Sequence, residues 1–128
     1  MTDGTFNIPE MGKPIGCYSH AKRIGPFVAV AGMAALDAQG KVVGVGDIQA
    51  QTRYTLRMIE AALKTAGATM NDVIKFTVFL TDYANYAGMN AAFREFFPEN
   101  PPARATLKSE LILQDFLVEI ETLAVVRT

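Results

Sequence analysis

Cysteine and histidine are nearly absent from this 128-residue chain, which contains one of each, Cys17 and His20. A single cysteine excludes a disulfide within the chain and a zinc site built on cysteines. A single histidine excludes a multi-histidine metal centre made by one chain. We therefore expect no metal site and a core that is held by ordinary packing.

The chain also lacks an excess of one charge and a long apolar run. It has 12 lysines and arginines against 13 aspartates and glutamates, a formal net charge of −1. This balance argues against a protein that binds nucleic acid by neutralising phosphates. The longest nearly uncharged stretch, residues 25–36, is too short to cross a bilayer. Residues 1–5 are polar and do not resemble a secretory leader, so we expect a cytoplasmic protein.

The apolar content is sufficient for one core. Hydrophobic residues make up 50% of the chain and charged residues 20%, which is typical of a folded chain and not of a disordered one. A chain of this size buries roughly two thirds of the surface that its unfolded form exposes. We therefore predict a single domain over residues 1–128.

Hydrophobic periodicity predicts two helices and several strands. Apolar residues recur at steps of three and four over residues 48–66, with Asp47 as the N-cap and Gly67 as the terminating residue. Alternation over residues 73–81 predicts a strand whose buried face includes Ile74. The other predicted elements are strands at 17–23 and 27–31, a helix at 89–96, and strands at 105–111 and 117–125 that pair antiparallel.

This order of elements predicts the α+β class, with a mixed sheet and two helices packed on one face. The second face of the sheet would stay uncovered in a monomer. Its residues on the last strand, among them Glu119, Glu121 and Leu123, mix apolar with acidic character. We interpret such a face as a subunit interface, because it is too apolar for bulk water and too polar for a core.

Three charged residues are candidates for chemistry. Arg104 follows two prolines that stiffen its approach, and its planar guanidinium suits bidentate capture of a carboxylate. Glu119 and Glu121 share one strand face about 7 Å apart, a spacing that permits acid–base work. From spacing alone, an ordinary ion pair for Arg104 and a solvated or salt-bridged face for the glutamates are the simpler interpretations.

Other residues carry weaker signals. Cys17 has no second histidine to activate it, so we interpret it as a buried or half-buried packing thiol. We interpret His20 as a surface or interface residue. Gly44 and Gly46 precede a helix but lack the lysine and the third glycine of phosphate loops, so we reject nucleotide binding.

Several segments, in order, match the motifs of one family. They are Ile15-Gly-Cys-Tyr-Ser19, Val30-Ala-Gly32, Gln51-Thr52, the run from Asp72 to Asp82, Asn90-x-x-Phe-x-x-Phe-Phe97, Pro102-Ala-Arg104-Ala-Thr106 and Val118-Glu-Ile-Glu-Thr-Leu-Ala124. Together they span about residues 14–126 and resemble the reactive intermediate deaminase family, also called Rid, YjgF or L-PSP. The ordered set is specific, although no single motif is.

The resemblance implies a chorismate-mutase-like fold and a homotrimer with active sites between subunits. It also implies hydrolysis of 2-imino or enamine acids to 2-keto acids and ammonia, without metal or cofactor. In this pattern Arg104 anchors the substrate carboxylate, Glu119 positions the attacking water and Glu121 is structural. The residues that it places around the substrate are Tyr18, Ala31, Gly32, Asn90 and Thr106. The implied partners are a small carboxylate substrate and further copies of the chain, with no nucleic acid or membrane.

The chain departs from the family pattern in its pocket. Cys17, Ala31 and Met33 stand where the family has proline, serine and glutamine, so the predicted pocket floor is more apolar. The run Thr81-Asp-Tyr-Ala-Asn-Tyr86 is similar to a motif of members that degrade pyrimidines or aminoaromatic compounds. Two alternatives therefore stay open. One is a dedicated catabolic deaminase for an aminoacrylate- or 2-aminomuconate-like enamine, and the other is a non-catalytic small-acid binding or chaperone-like trimer.

Overall fold

The computed structural model describes residues 3–127, which contain six strands and two α-helices besides loops and short 3₁₀ turns. In chain order they are β1 (Thr5–Phe6), β2 (Ala21–Ile24), β3 (Phe27–Ala34), α1 (Ile48–Thr65), β4 (Val73–Leu80), α2 (Tyr86–Phe96), β5 (Ala103–Lys108) and β6 (Val118–Val125). The strands form one sheet in the order β1-β2-β3-β6-β4-β5. Only β4 and β5 run parallel, so the sheet is mixed, as predicted.

Helix α1 begins and ends where its local sequence predicts. The Asp47 carboxylate accepts a 3.0 Å hydrogen bond from the Ala50 amide and so satisfies a free donor of the first turn. Gly67 adopts a φ of +84°, a left-handed conformation that glycine takes without strain. Helix α2 begins at Tyr86, three residues earlier than the predicted start at residue 89.

Both helices pack on one side of the sheet, which we call the helix face. Alternate residues of the central strands point into this layer and are buried there. They include Val28, Val30, Phe76, Val78, Leu80, Val118 and Ile120 on the strands, and Leu56, Ile59, Leu63 and Met89 on the helices. The predicted α+β architecture is therefore confirmed. Neither helix is long and apolar enough to cross a membrane within the residues described.

The opposite side, which we call the open face, carries no helix. Apolar side chains remain exposed on it, including Phe27 at 58%, Leu123 at 40% and Leu107 at 39% relative exposure. The Glu121 side chain lies among them, because residues 121 and 123 of β6 point to the same face. A subunit interface on this face stays a prediction.

The predicted antiparallel pairing of the two terminal strands is wrong. Strand β6 inserts between β3 and β4, while β5 lies at the sheet edge and pairs in parallel with β4. The central position suits β6 because its alternate residues are fully buried beneath the helices. The side chains of β5 are exposed or only partly buried, as expected at an edge.

Two local predictions also differ from the structure. Ile74 is exposed, not buried, because Val73 pairs with Ala124 and Lys75 pairs with Leu123, which leaves Ile74 as the extra residue of a β-bulge. The strand expected at residues 17–23 begins only at Ala21.

Candidate active site

A second β-bulge lies beside Glu119, whose side chain points to the open face. The register between β3 and β6 shifts between Val30 and Met33, so Ala31 and Gly32 protrude from the ladder. The Glu119 carboxylate lies directly over Gly32. A Cβ added to this glycine would stand 2.6 Å from Glu119 Oε2. A side chain at this position would therefore displace the carboxylate from its place over the bulge.

Glu119 has the electrostatics of an acid–base group. Burial raises the pKa of this carboxyl group above its ordinary value, and the charge of Glu121 two residues further along raises it again. No lysine or arginine of residues 3–127 forms an ion pair with Glu119. A carboxylate that is half-buried and lacks a cationic partner takes up a proton more readily than an exposed one, as proton transfer requires.

A cavity of about 640 Å³ opens beside Glu119. It brings together four predicted site residues, Tyr18, Ala31, Gly32 and Glu119. The larger part of its wall is apolar. The apolar side chains that line it include Ile15, Met33, Leu36, Met58, Ile112 and Phe116. The predicted apolar character of this pocket, based on Ala31 and Met33, agrees with the lining.

The predicted environments of Cys17 and His20 are reversed in the structure. Cys17 is exposed, so it is not a packing thiol within this chain. His20 is buried at 5% relative exposure and lines the cavity. The segment that precedes β2 covers the imidazole, and the Ile8 amide donates a 2.9 Å hydrogen bond to its Nδ1. The burial of His20 depends on a segment that lies twelve residues away, so no hydrophobic periodicity around His20 predicts it.

Arg104 lies on the other side of the sheet. Its neighbour in the β4–β5 register is Phe76, a residue of the helix face, and its side chain points towards α2. The guanidinium stands 5.0 Å from the ring centre of Phe93 and donates a 3.2 Å hydrogen bond to the Tyr86 hydroxyl. It also lies 3.6 Å from the Met89 sulfur. These contacts fix the orientation of the guanidinium without neutralising its charge.

The surroundings of Arg104 fit an anion site. Among residues 3–127 no carboxylate forms an ion pair with it. Asn90 and Arg104 line a second cavity of about 320 Å³, together with Pro101 and Pro102. The pKa of Tyr86 is lowered, first by a hydrogen bond with the Asn90 side chain and then by the charge of Arg104. This positive environment, with the oriented guanidinium of Arg104 and the amide of Asn90 at one cavity, suits a small carboxylate.

The predicted site residues thus fall into two groups. Tyr18, Ala31, Gly32 and Glu119 surround the first cavity. Asn90, Arg104 and Thr106 belong to the layer between β5 and α2, where Thr106 pairs with the buried Val78. Arg104 and Glu119 are opposite Phe76 and Phe79 of β4, residues that point to opposite faces. One chain therefore does not bring the predicted anchor and the predicted acid–base group together.

Sequence reasoning missed the residues that hold Arg104. Tyr86, Met89 and Phe93 follow one another at helical steps of three and four, so one side of α2 presents them all. Their spacing was visible in the sequence. That this side faces Arg104 depends on the β4–α2–β5 crossover. Residues 3–127 contain no group of three or more side chains suited to hold a metal ion.

Comparison with known proteins gives consistent matches over almost the whole chain. The model of the family described as endoribonuclease L-PSP matches residues 9–126. A RutC family protein of Pyrococcus horikoshii is 43% identical over 120 residues, which cover 94% of this chain and 93% of that protein. The crystal structure of RidA from the Antarctic bacterium Psychrobacter has a TM-score of 0.87 and 29% identity, covering 95% of this chain and 98% of its own. The crystal structure of E. coli TdcF with bound serine has a TM-score of 0.87 and 29% sequence identity, and the match covers 97% of this chain and 98% of that one.

Proposed function

The chain belongs to the endoribonuclease L-PSP family, which includes the YjgF and RidA proteins, and from this premise we propose that it hydrolyses 2-imino and enamine acids to 2-keto acids and ammonia. One observation carries the proposal. An oriented guanidinium that forms no ion pair within residues 3–127 and a carboxylate with a raised pKa point to opposite faces of one sheet, and each lies at a cavity.

These two groups supply what the reaction needs. Arg104 binds the substrate carboxylate through paired hydrogen bonds and so orients the C=N carbon. Glu119 holds a water beside that carbon and accepts a proton as the water oxygen forms its bond. Glu119 passes this proton to the nitrogen of the carbinolamine, the C–N bond breaks, and ammonia leaves as the hydroxyl group loses its proton to solvent and becomes the carbonyl. No covalent nucleophile is required.

The two groups meet between copies of the chain. In this proposal Glu119 and the β3 bulge of one subunit face Arg104, Asn90 and Thr106 of the next, within a homotrimer. The exposed apolar residues of the open face support such an assembly, because a stable monomer rarely leaves such a face in water. A closed ring of identical subunits repeats the same composite site at each interface.

A second candidate function is binding of a small acid without turnover. It is favoured by the structure of E. coli TdcF, which holds serine. Both functions need Arg104 as the anchor, whereas only hydrolysis needs the proton chemistry of Glu119. Measurements of binding and of turnover on the same variants therefore separate the two.

The test generates imino acids in situ with an amino-acid oxidase, traps them with semicarbazide and follows loss of the trapped product. A 2-aminoacrylate source is included, because a narrow catabolic deaminase would prefer it. We expect hydrolysis by the wild type and a large loss with Arg104→Ala or Glu119→Gln. Arg57→Ala, an exposed arginine on α1, serves as the matched control for charge removal.

Calorimetry with a 2-keto acid completes the test. Arg104→Ala should bind the acid much more weakly, and Glu119→Gln should bind it almost as well as the wild type. Binding by the wild type without hydrolysis of any imine would establish the second candidate instead. Unchanged turnover in both variants would show that the site lies elsewhere.

A further inference from the structure

The proposed reaction makes no use of His20, yet three hydrogen bonds fix this residue. The Ile8 amide donates to its Nδ1 at 2.9 Å, its own amide donates to Asn7 Oδ1 at 3.1 Å, and the Ala31 amide donates to its carbonyl oxygen at 2.9 Å. Because Nδ1 accepts a hydrogen bond, the ring proton must lie on Nε2. Burial lowers the pKa of His20, so the ring is neutral near pH 7.

The Nε2–H group has no acceptor among residues 3–127. It is not sealed in the protein either, since His20 lines the 640 Å³ cavity and Nε2, which has no partner within residues 3–127, is not fully buried. A fixed, neutral donor therefore faces a mainly apolar space. Lys13 and Tyr18 are the other polar side chains of the lining besides Glu119, and both are exposed.

His20 and Glu119 flank the β3 bulge from its two sides. His20 is adjacent to Ala31, and the Glu119 carboxylate lies over Gly32. His20 directly precedes β2 and Glu119 belongs to β6, and both strands are neighbours of β3, so about 10 Å separates the two strand axes. A substrate whose reacting carbon lies beside Glu119 would extend its side chain across the bulge towards the imidazole.

We propose that this cavity is the subsite for the substrate side chain and that His20 selects that side chain by donating one hydrogen bond from Nε2. The preferred substrates are 2-imino acids with an extended, uncharged side chain that carries one acceptor oxygen. The inference rests on the proposed function and specifies its substrate class. It assigns His20 a role in specificity and none in the chemical step.

The selection has a simple physical cause. A side chain of the same shape without an acceptor would displace water from Nε2–H and leave this donor unpaired, which costs about tenfold in kcat/KM. A charged side chain would lose much of its hydration among the apolar walls, and His20 would offer it only one neutral donor. A very short side chain would leave most of the cavity unfilled.

Two imino acids of equal length test the proposal. The imine from norleucine has an all-carbon side chain, and the imine from O-methylhomoserine has an oxygen in place of one methylene. The measured quantity is the ratio of their kcat/KM values, which does not depend on the fraction of active enzyme. We expect the wild type to favour the ether substrate about tenfold.

Two variants separate the donor from the structural role of the ring. His20→Asn places an amide oxygen near Nδ1, so it can still accept from the Ile8 amide, but it has no donor at the Nε2 position. His20→Gln carries an N–H donor close to the Nε2 position and loses the Nδ1 acceptor. We expect the ratio to fall to about one in His20→Asn and to stay well above one in His20→Gln.

A direct measurement guards against variants that fail to fold. His20 is the only histidine of the sequence, so its ring nitrogens give unambiguous signals in nitrogen-15 NMR of the wild type. The keto acid that carries the ether oxygen should shift the Nε2 signal, and its all-carbon analogue should not.

The outcomes distinguish this inference from the proposed function. A ratio near one in the wild type, a ratio preserved in His20→Asn, or equal Nε2 shifts with both keto acids would overturn the role of His20 alone. Failure to hydrolyse any imine would overturn the proposed function, and this inference with it.

Discussion

Mixing two inactive variants tests the composite site most directly. Arg104→Ala removes the anchor and keeps Glu119, whereas Glu119→Gln removes the proton acceptor and keeps the anchor. If each site takes Glu119 from one subunit and Arg104 from another, mixed oligomers contain some sites with both groups intact. Co-expression of the two variants should therefore restore activity that neither shows alone.

The expected recovery follows from how often a mixed oligomer places an intact Glu119 beside an intact Arg104 of the neighbouring subunit. In a random equal mixture, a subunit retains Glu119 in half of the cases, and its neighbour retains Arg104 in half of the cases. About one quarter of the sites are therefore complete, for a trimer or for any closed ring. The background is low, because losing a charge-assisted bidentate contact costs about 2–5 kcal/mol, or roughly 30- to 5000-fold in kcat/KM.

The assay compares specific imine hydrolysis by the co-expressed mixture, by each variant alone and by the wild type. Mixing the separately purified variants without subunit exchange is the control and should restore nothing. Recovery no higher than the sum of the single variants would refute the reasoning, since it would mean that one chain completes its own site or that one residue is wrongly assigned.

Three further predictions concern single groups. Gly32→Ala should lower imine turnover by roughly 10- to 100-fold with little change in thermal stability, because its Cβ would displace the Glu119 carboxylate; unchanged turnover would show that the position of this carboxylate is not critical. Glu121→Gln should move the acidic limb of the rate profile to lower pH, because it removes a charge that raises the pKa of Glu119, and a limb that stays in place would contradict this coupling. The midpoint temperature of thermal unfolding should fall as the pH drops below about 6.5. The pKa of His20 is lower in the folded chain than its ordinary value of 6.5, so the unfolded chain binds that proton first and is favoured as the pH falls. His20→Gln should weaken this dependence, and an identical slope in the variant would show that other groups cause it.

Local elements were the part of the fold that the sequence determined by itself. Helix α1 begins after Asp47 and ends before Gly67, as its apolar repeat and its caps predict. The strand at β4 was also correct in extent, within one residue. Such features depend on residues a few positions apart, so the sequence contains all the information that they need. The family resemblance was likewise readable from ordered motifs, and the match over residues 9–126 confirms it.

The tertiary structure decided the features that depend on distant partners. Strand β6 pairs with β3 and β4 and not with the adjacent β5, because its central place buries alternate residues beneath two helices. No local pattern distinguishes these pairings, since a strand with one apolar face can dock beside several neighbours. The bulge at Ile74 is equally invisible in an alternating sequence.

The same reason explains what could be predicted about the site. The motifs in the sequence made Arg104 and Glu119 candidates, and the sheet placed them on opposite faces. It also buried His20 beneath a segment twelve residues away and left Cys17 exposed, contrary to both interpretations. The sequence states which side chain stands at each position. Which face of the sheet that side chain points to, which segment buries it and which residues it contacts follow from long-range packing, which a single sequence does not state.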